Sequence, residues 1–231
     1  MLQTDPGTIG ENPALLVVDA QQDFMDPDGA LYCPCSSVED TETVTGNIRS
    51  VVETARAADI PIIWTKESHR PDGSDYGTEW LDPDMIDHTV SGTDGESILP
   101  TLDVDEDDLP PAEYVLYKSR YNCFHNTDLE HLLDTFDVDT LLITGVTTAV
   151  CVHYTAHGAL ERDYVFRVVE ECTAESTDEI HEAALTILDY IQPDGVESQS
   201  AIESALEEYD GNEVVERVKS TGRVVGPSKV F

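Results

Sequence analysis

The stretch TLLITGVTTAVCVHYTAHGAL, residues 140–160, contains the clearest secondary-structure pattern of the chain. Its first part, TLLIT at 140–144, is a short apolar run without alternation, which is typical of a strand buried on both faces of a sheet. From about residue 148 to residue 162, apolar residues return at the three- and four-residue spacing of a helix that buries one face. The inward positions of this helix are predicted to be Val152, Ala156, Ala159 and Leu160. The stretch therefore predicts a strand followed directly by a helix.

The same unit recurs on both sides of this stretch. Short apolar runs predict further strands at 14–18, 61–65, 114–118, 164–169 and about 195–198. Amphipathic helices are predicted between them, and two begin with capping-box pairs, Thr127 with Glu130 and Ser176 with Glu179. Such alternation predicts an α/β fold with a mostly parallel, six-stranded sheet and helices on both faces, because right-handed crossovers return every strand in the same direction.

The charge balance limits the partners. The 231 residues include 12 Lys and Arg against 48 Asp and Glu, which gives a formal net charge of −36. Nucleic acid and anionic membranes would be repelled, so neither is an expected partner. The composition resembles that of a halophile's protein, because a Debye length of about 3 Å in molar salt makes such self-repulsion tolerable. The alternative is an acidic protein that mimics nucleic acid.

The chain is predicted to be one domain, residues 1–231, with a core at about 13–205. The connection 66–112 is rich in Asp, Gly and Pro and is expected to wall a pocket, since loops of this length are usually functional. The polar tail, about 210–231, is expected to be an arm that reaches a neighbouring subunit. Five cysteines without a repeated spacing argue against a disulfide framework, and no apolar run is long enough to span a membrane, so a cytoplasmic protein is expected.

Three reactive side chains follow predicted strands: Asp19, Lys118 and Cys151. Each has an ordinary structural interpretation, respectively a turn cap, a surface lysine and a small buried residue. Because parallel strands end at one edge, however, the three are expected to meet there as a nucleophile and its activators. A nearby ammonium and a helix N-terminus would lower the pKa of the Cys151 thiol below about 8.5.

Three segments around these residues, ALLVVDAQQDF, VLYKSRYNCFHNTDLEHLL and LLITGVTTAVCVHYTAHGALERDY, resemble the signature segments of the isochorismatase-like cysteine hydrolases. The resemblance implies a three-layer α/β/α Rossmann-like fold in which Asp19, Lys118 and Cys151 are the catalytic triad. It also implies a cis peptide between Val146 and Thr147, with the N–H groups of Thr147 and Cys151 forming an oxyanion hole. Members of the family commonly assemble as dimers or tetramers, so a homo-oligomer is expected.

The resemblance leaves the branch of the family open. Many nicotinamidases bind a divalent metal through a D-x-H pair and a later histidine, and the matching residues here are Glu67, His69 and His88. These residue types can hold zinc. The segment ESHRPDGSD looks more like the branch that hydrolyses ureido and carbamoyl amides, where Glu67, His69 and Arg70 would support the pocket and no cofactor would be required.

Three aromatic residues are candidate pocket walls: Phe24, Trp80 and Tyr121. The sequence then predicts a cysteine-dependent hydrolase that cleaves a C–N bond of a small amide or a carbamoyl or ureido compound through a thioester. A metal-dependent nicotinamidase is the enzymatic alternative. A noncatalytic acidic binding protein that keeps the fold, or a redox protein that uses the Cys151 thiol, is the alternative from another class.

Overall fold

The computed structural model describes residues 7–33, 41–82, 84–221 and 229–230. Its centre is a parallel sheet with the strand order β6-β5-β4-β1-β2-β3-β7. The strands are β1 (Pro13–Val18), β2 (Ile62–Glu67), β3 (Glu113–Lys118), β4 (Thr140–Val146), β5 (Val165–Ala174), β6 (Val196–Glu197) and β7 (Lys229–Val230). The six predicted strands are all present, and the two-residue β7 extends the edge of the sheet beside β3. The predicted parallel α/β sheet is thus confirmed.

Helices cover both faces of this sheet. They are α1 (Gln22–Met25), α2 (Thr41–Ala57), α3 (Leu129–Thr135), α4 (His153–Leu160), α5 (Asp178–Ile191), α6 (Gln199–Glu207) and α7 (Glu213–Thr221). In β1, Leu15 and Val17 belong to the core with α2 and α6, whereas Leu16 and Val18 belong to the core with α3, α4, α5 and α7. Successive residues of a strand point to opposite faces, so β1 is buried on both. The three-layer arrangement is confirmed.

Both predicted capping boxes are wrong in detail. Helix α3 begins at Leu129, after Asp128, and the Thr127 hydroxyl accepts a bond from the Leu129 N–H while donating to the Cys123 carbonyl. Helix α5 is capped by Thr177, whose hydroxyl accepts from the N–H three residues later. The Ser176 hydroxyl is instead bonded to the Glu175 carboxylate. In each case a competing local hydrogen bond moves the start of the helix.

The expectation of a C-terminal arm is wrong for residues 213–221. These residues form α7, and its Val215 and Val218 are buried in the core of the same chain. Asn212 starts the helix: its side-chain oxygen accepts from the N–H groups of Val214 and Val215, and its amide donates to the Phe136 carbonyl. The two valines one turn apart supply a narrow apolar face, which is enough to hold a short helix against the domain.

Four cysteines lie within the described residues, Cys33, Cys123, Cys151 and Cys172, and all four are buried. Cys35 lies outside the described residues. None of the described helices is long and apolar enough to cross a membrane.

Candidate active site

The candidate site lies at the carboxyl ends of the central strands. Asp19 directly follows β1, Glu67 and Lys118 are the last residues of β2 and β3, and Cys151 lies in a π-helical turn, Thr148–Val152, between β4 and α4. Since β4, β1, β2 and β3 are neighbours in the parallel sheet, these ends meet at one edge. All four residues are at most 5% exposed.

The structure brings Asp19, Lys118 and Cys151 into direct contact. The Lys118 ammonium lies 2.6 Å from Oδ2 of Asp19 and 3.5 Å from the Cys151 sulfur. The other Asp19 oxygen accepts a bond from the Thr65 hydroxyl at 2.8 Å, and that hydroxyl accepts in turn from the Asp19 N–H. Asp19 is therefore fixed at both oxygens, with one of them facing the lysine.

A glycine shapes the turn that carries the cysteine. Gly145 has φ of +101°, and a Cβ at this position would overlap the carbonyl oxygen of Val18 in the neighbouring strand. Only glycine fits both constraints. One residue further on, the peptide bond between Val146 and Thr147 is cis, which is the bond for which the resemblance implied this conformation. Thr147 and Cys151 both line the cavity, and the oxyanion-hole role of their N–H groups stays a prediction.

Glu67 is a second carboxylate beside the cysteine. Its Oε2 lies 3.2 Å from the Lys118 ammonium and 3.7 Å from the Cys151 sulfur. The buried amide of Gln21 holds it in place, because Gln21 accepts from the Glu67 N–H and donates to the Glu67 carbonyl, both at 2.8 Å. Gln21 was not among the predicted site residues, although it stands two residues after Asp19, just beyond the end of the first strand.

The surrounding charges correct the expected state of the thiol. Burial raises the pKa of Cys151 well above its usual value, and the Asp19 and Glu67 carboxylates raise it further, against the opposing effect of Lys118. The sequence predicted a lowered pKa because it counted the lysine and the helix but not the desolvation or the second carboxylate. The direction of the pKa shift of Cys151 is therefore opposite to the one that the sequence predicted.

The two carboxylates differ in their electrostatics. Burial raises the pKa of Asp19, while Lys118 acts to lower it. Burial also acts to raise the pKa of Glu67, but Lys118, His69 and His88 hold that pKa well below the usual range. Asp19 is therefore the carboxylate better suited to accept a proton from the thiol.

A cluster of candidate metal ligands shares Glu67 with the triad. Its Oε1 lies 3.0 Å from Nε2 of His69 and 3.2 Å from Nε2 of His88. The other ring nitrogens face oxygens, since His88 Nδ1 is 2.9 Å from the Ile86 carbonyl and His69 Nδ1 is 3.7 Å from an Asp75 carboxylate oxygen. The His88 imidazole, held through Nδ1, presents Nε2 to Glu67, and this is the orientation found in zinc-bound histidines. The donor set and its orientation fit a divalent metal.

A cavity of about 270 Å³ opens onto the cysteine. Among the predicted wall residues, Phe24 and Tyr121 line it, together with Glu67 and His88. Walls that the sequence analysis missed include Tyr32, Met85 and Glu175.

Two of the predicted pocket residues do not reach this cavity. His69 is buried behind Glu67, and Arg70 is exposed to solvent. Neither is among the described residues that line the cavity. His69 pairs with Val90 in an isolated bridge, and in an extended segment the next residue points the opposite way, so Arg70 faces outward. The side chain of Trp80 lies outside the described part of the structure.

Glu175 supports the turn that carries the nucleophile. One of its carboxylate oxygens accepts from the Ala149 N–H at 3.0 Å, and the other accepts from the N–H and hydroxyl of Ser176. It was missed because the predicted strand ended at residue 169, whereas β5 runs to Ala174 and places Glu175 at the active edge.

Comparisons with known proteins agree with this architecture. The isochorismatase domain family model matches residues 13–193. The chain is 34% identical to a probable inactive nicotinamidase of Arabidopsis thaliana, over 74% of this chain and 85% of that protein. It is 30% identical to the ureidoacrylate amidohydrolase RutB of Methylobacterium radiotolerans, over 89% and 85% respectively. The solved structure of an isochorismatase-like hydrolase from Alkaliphilus metalliredigens superposes with a TM-score of 0.69 at 30% identity, covering 84% of this chain and 98% of that one. The chain belongs to the isochorismatase domain family.

Proposed function

We propose that the protein is a cysteine hydrolase that cleaves the C–N bond of a small amide or of a carbamoyl or ureido compound. The observation that carries this proposal is the Lys118 ammonium between the Asp19 carboxylate, at 2.6 Å, and the Cys151 sulfur, at 3.5 Å. A nucleophile, a proton acceptor and a fixed cation in one buried cluster are the parts that covalent amide hydrolysis needs.

In the proposed reaction the Cys151 sulfur attacks the amide carbonyl while the thiol proton passes to Asp19. Transfer during the attack suits a thiol whose pKa burial raises and a carboxyl whose pKa burial also raises. The N–H groups of Thr147 and Cys151 would stabilise the oxygen of the tetrahedral intermediate. Asp19 then gives its proton to the departing nitrogen, the C–N bond breaks and a thioester remains. Water, deprotonated by Asp19, releases the acid and restores the thiol.

The size and walls of the cavity support a small substrate. A volume of about 270 Å³, bounded by Phe24, Met85 and Tyr121, has room for a compact acyl or ureido group rather than for a peptide. A relative named for ureidoacrylate hydrolysis has 30% identity over 89% of this chain, which favours the ureido branch.

The test is ammonia release from a panel of nicotinamide, carbamoyl and ureido amides in molar KCl. The Cys151→Ala variant is expected to lose turnover by about 10³-fold or more, since a nucleophile is removed. The matched control is Cys172→Ala, another buried free cysteine on the opposite face of the sheet. Appreciable turnover by Cys151→Ala would overturn the mechanism. If the wild type hydrolyses none of these compounds, the noncatalytic alternative gains, and one relative is indeed named as inactive.

A metal-dependent nicotinamidase is the second candidate, favoured by the convergence of Glu67, His69 and His88 within 4.8 Å of one another. A bound zinc ion would act as a Lewis acid beside the cavity. Metal analysis of purified protein and calorimetric titration with Zn²⁺ test this candidate. One ion per chain, lost in His69→Gln but kept in the exposed control His131→Gln, is the expected result; absence of binding, or equal binding by both variants, counts against it.

A further inference from the structure

Thr65 is a buried polar residue next to the proposed general base, Asp19. It lies in β2, which pairs with β1, and it is 1% exposed. Its hydroxyl donates to Oδ1 of Asp19 at 2.8 Å and accepts from the Asp19 N–H at 3.1 Å. One hydroxyl therefore contacts both the backbone and the carboxylate of Asp19.

The thiol of Cys123, which the proposed reaction does not use, reaches the same hydroxyl. Cys123 is fully buried, and its sulfur donates to Oγ1 of Thr65 at 3.7 Å as a weak S–H donor. Its backbone is held from two sides, because its N–H donates to the Thr155 hydroxyl and its carbonyl accepts from the Thr127 hydroxyl. Burial raises the pKa of Cys123 to about 11, so near neutral pH the sulfur keeps the proton with which it donates.

These contacts use the full hydrogen-bonding capacity of the Thr65 hydroxyl. A hydroxyl has one proton to donate and two lone pairs that accept. The Asp19 N–H and the Cys123 thiol occupy the two lone pairs, and the proton is donated to Oδ1 of Asp19. Because both lone pairs are occupied, turning the hydroxyl proton elsewhere would break this set of bonds, and Oδ1 is held against Thr65.

The two carboxylate oxygens of Asp19 therefore have different surroundings. Oδ1 accepts from Thr65, whereas Oδ2 lies 2.6 Å from the Lys118 ammonium and has no hydrogen-bond partner among the described residues besides that ion pair. The same ammonium lies 3.5 Å from the Cys151 sulfur. Oδ2 is thus a buried acceptor on the side of the nucleophile that is open to a proton.

We infer that Thr65, supported by Cys123, is a positioning residue that holds the Asp19 carboxylate so that Oδ2 receives the thiol proton. The inference rests on the proposed function and deepens it, since it names the oxygen that acts as the general base. In this step the S–H bond of Cys151 breaks, its electron pair forms the bond to the carbonyl carbon, and Oδ2 binds the proton. Without the Thr65 hydroxyl, the carboxylate can turn about its Cβ–Cγ bond, and neither oxygen is held towards the sulfur.

Kinetics of Thr65 variants with the best substrate of the amide panel test the inference. Thr65→Val replaces the hydroxyl with a methyl group and is expected to lower kcat by about 10- to 100-fold, the effect of losing a hydrogen bond to a charged group. KM is expected to change less than about threefold, because Thr65 is not among the described residues that line the cavity. Thr65→Ser keeps the hydroxyl and is expected to retain kcat within about threefold of the wild type.

The matched control is Thr144→Val. Thr144 is a fully buried threonine in the neighbouring part of the sheet, in β4, and its hydroxyl donates to the Leu16 carbonyl. This variant loses a buried hydroxyl that does not contact Asp19, so kcat is expected to stay within about twofold of the wild type. If Thr65→Ser loses as much kcat as Thr65→Val, the hydroxyl is not what positions the base and the inference fails.

A double-mutant cycle tests the contribution of Cys123. Cys123→Ala is expected to lower kcat by about two- to fivefold, less than Thr65→Val, because a thiol is a weak donor. Adding Cys123→Ala to Thr65→Val is expected to cause no further loss, since the thiol acts through the hydroxyl. Losses that multiply would contradict the role of Cys123 as the support of Thr65.

Crystal structures of the variants give a readout that does not need turnover. The Asp19 carboxylate is expected to turn from its wild-type orientation in Thr65→Val and to keep it in Thr65→Ser. Urea unfolding checks that each variant is folded, and Thr65→Ala takes the place of Thr65→Val if the latter does not fold. An unchanged carboxylate orientation, or an unchanged kcat, in Thr65→Val would overturn the inference while the proposed function stands. If the wild type hydrolyses none of the panel, the proposed function is contradicted, and the orientation of Asp19 still decides the positioning role of Thr65.

Discussion

Replacing Lys118 with methionine tests how the buried cluster is balanced. The ammonium contacts Asp19 at 2.6 Å and Glu67 at 3.2 Å, and the lysine and aspartate side chains are fully buried. Lys118→Met keeps the length of the side chain but leaves two buried carboxylates facing each other without their cation. Removing one partner of a buried ion pair costs about 3 to 5 kcal/mol, and that loss of unfolding free energy is expected near neutral pH.

The pH dependence gives the prediction a sign. Burial and Glu67 already raise the pKa of Asp19, and removal of the ammonium raises it further. A carboxyl group with a folded-state pKa above the unfolded value, about 3.9, destabilises the protein above its folded pKa and ceases to do so as protons bind. The stability deficit of Lys118→Met should therefore shrink as the pH falls toward the unfolded-state pKa of about 3.9.

Urea unfolding at constant molar KCl measures this deficit. Lys66→Met is the matched control, since Lys66 is paired with Glu106. The Glu106 side chain is 18% exposed and can be hydrated when the lysine is removed, so a smaller loss of unfolding free energy is expected. Adding Asp19→Asn to Lys118→Met should recover stability, because it removes one of the two facing charges. A deficit below about 1 kcal/mol, or one that grows as the pH falls, would contradict this account of the buried cluster.

Four further predictions follow from the same contacts. Gly145→Ala should cost at least about 2 kcal/mol of unfolding free energy, measured with urea, and abolish turnover, because the new Cβ meets the Val18 carbonyl. Its control is Gly46→Ala on the exposed face of α2, which should stabilise the protein by roughly 0.5 to 1 kcal/mol. Equal effects of the two substitutions would contradict this. The acid limb of the pH profile of kcat/KM should have an apparent pKa above about 4, since protonation of Asp19 removes the general base. An apparent pKa at the ordinary aspartate value would count against Asp19 as the base. Val215→Ala should cost about 1.5 to 3 kcal/mol of unfolding free energy, because Val215 is fully buried against its own domain, and a negligible cost would contradict that packing. The unfolding free energy should rise from low to molar KCl because screening relieves the self-repulsion of a net charge of −36, and a salt-independent value would refute the halophile hypothesis.

The sequence was most informative where its signal is local. Apolar runs and helical spacing depend on residues a few positions apart, so the strands around Asp19, Lys118 and Cys151 could be located without knowing any tertiary contact. Parallel topology then requires that these strand ends share one edge, which is why residues more than a hundred positions apart could be assigned to one site. The capping boxes failed because single hydroxyls at Thr127 and Ser176 had other local partners.

The sequence by itself determined the layered α/β fold and the three reactive residues at one edge, because periodicity and chain direction are properties of the chain. Only the tertiary structure decided the chemistry of that edge. Glu67 reaches the cysteine as well as two histidines, and its position depends on the register of β2 against its neighbours. The pKa of Cys151 follows from burial and from the sum of charges around it, and neither quantity is present in a linear order of residues.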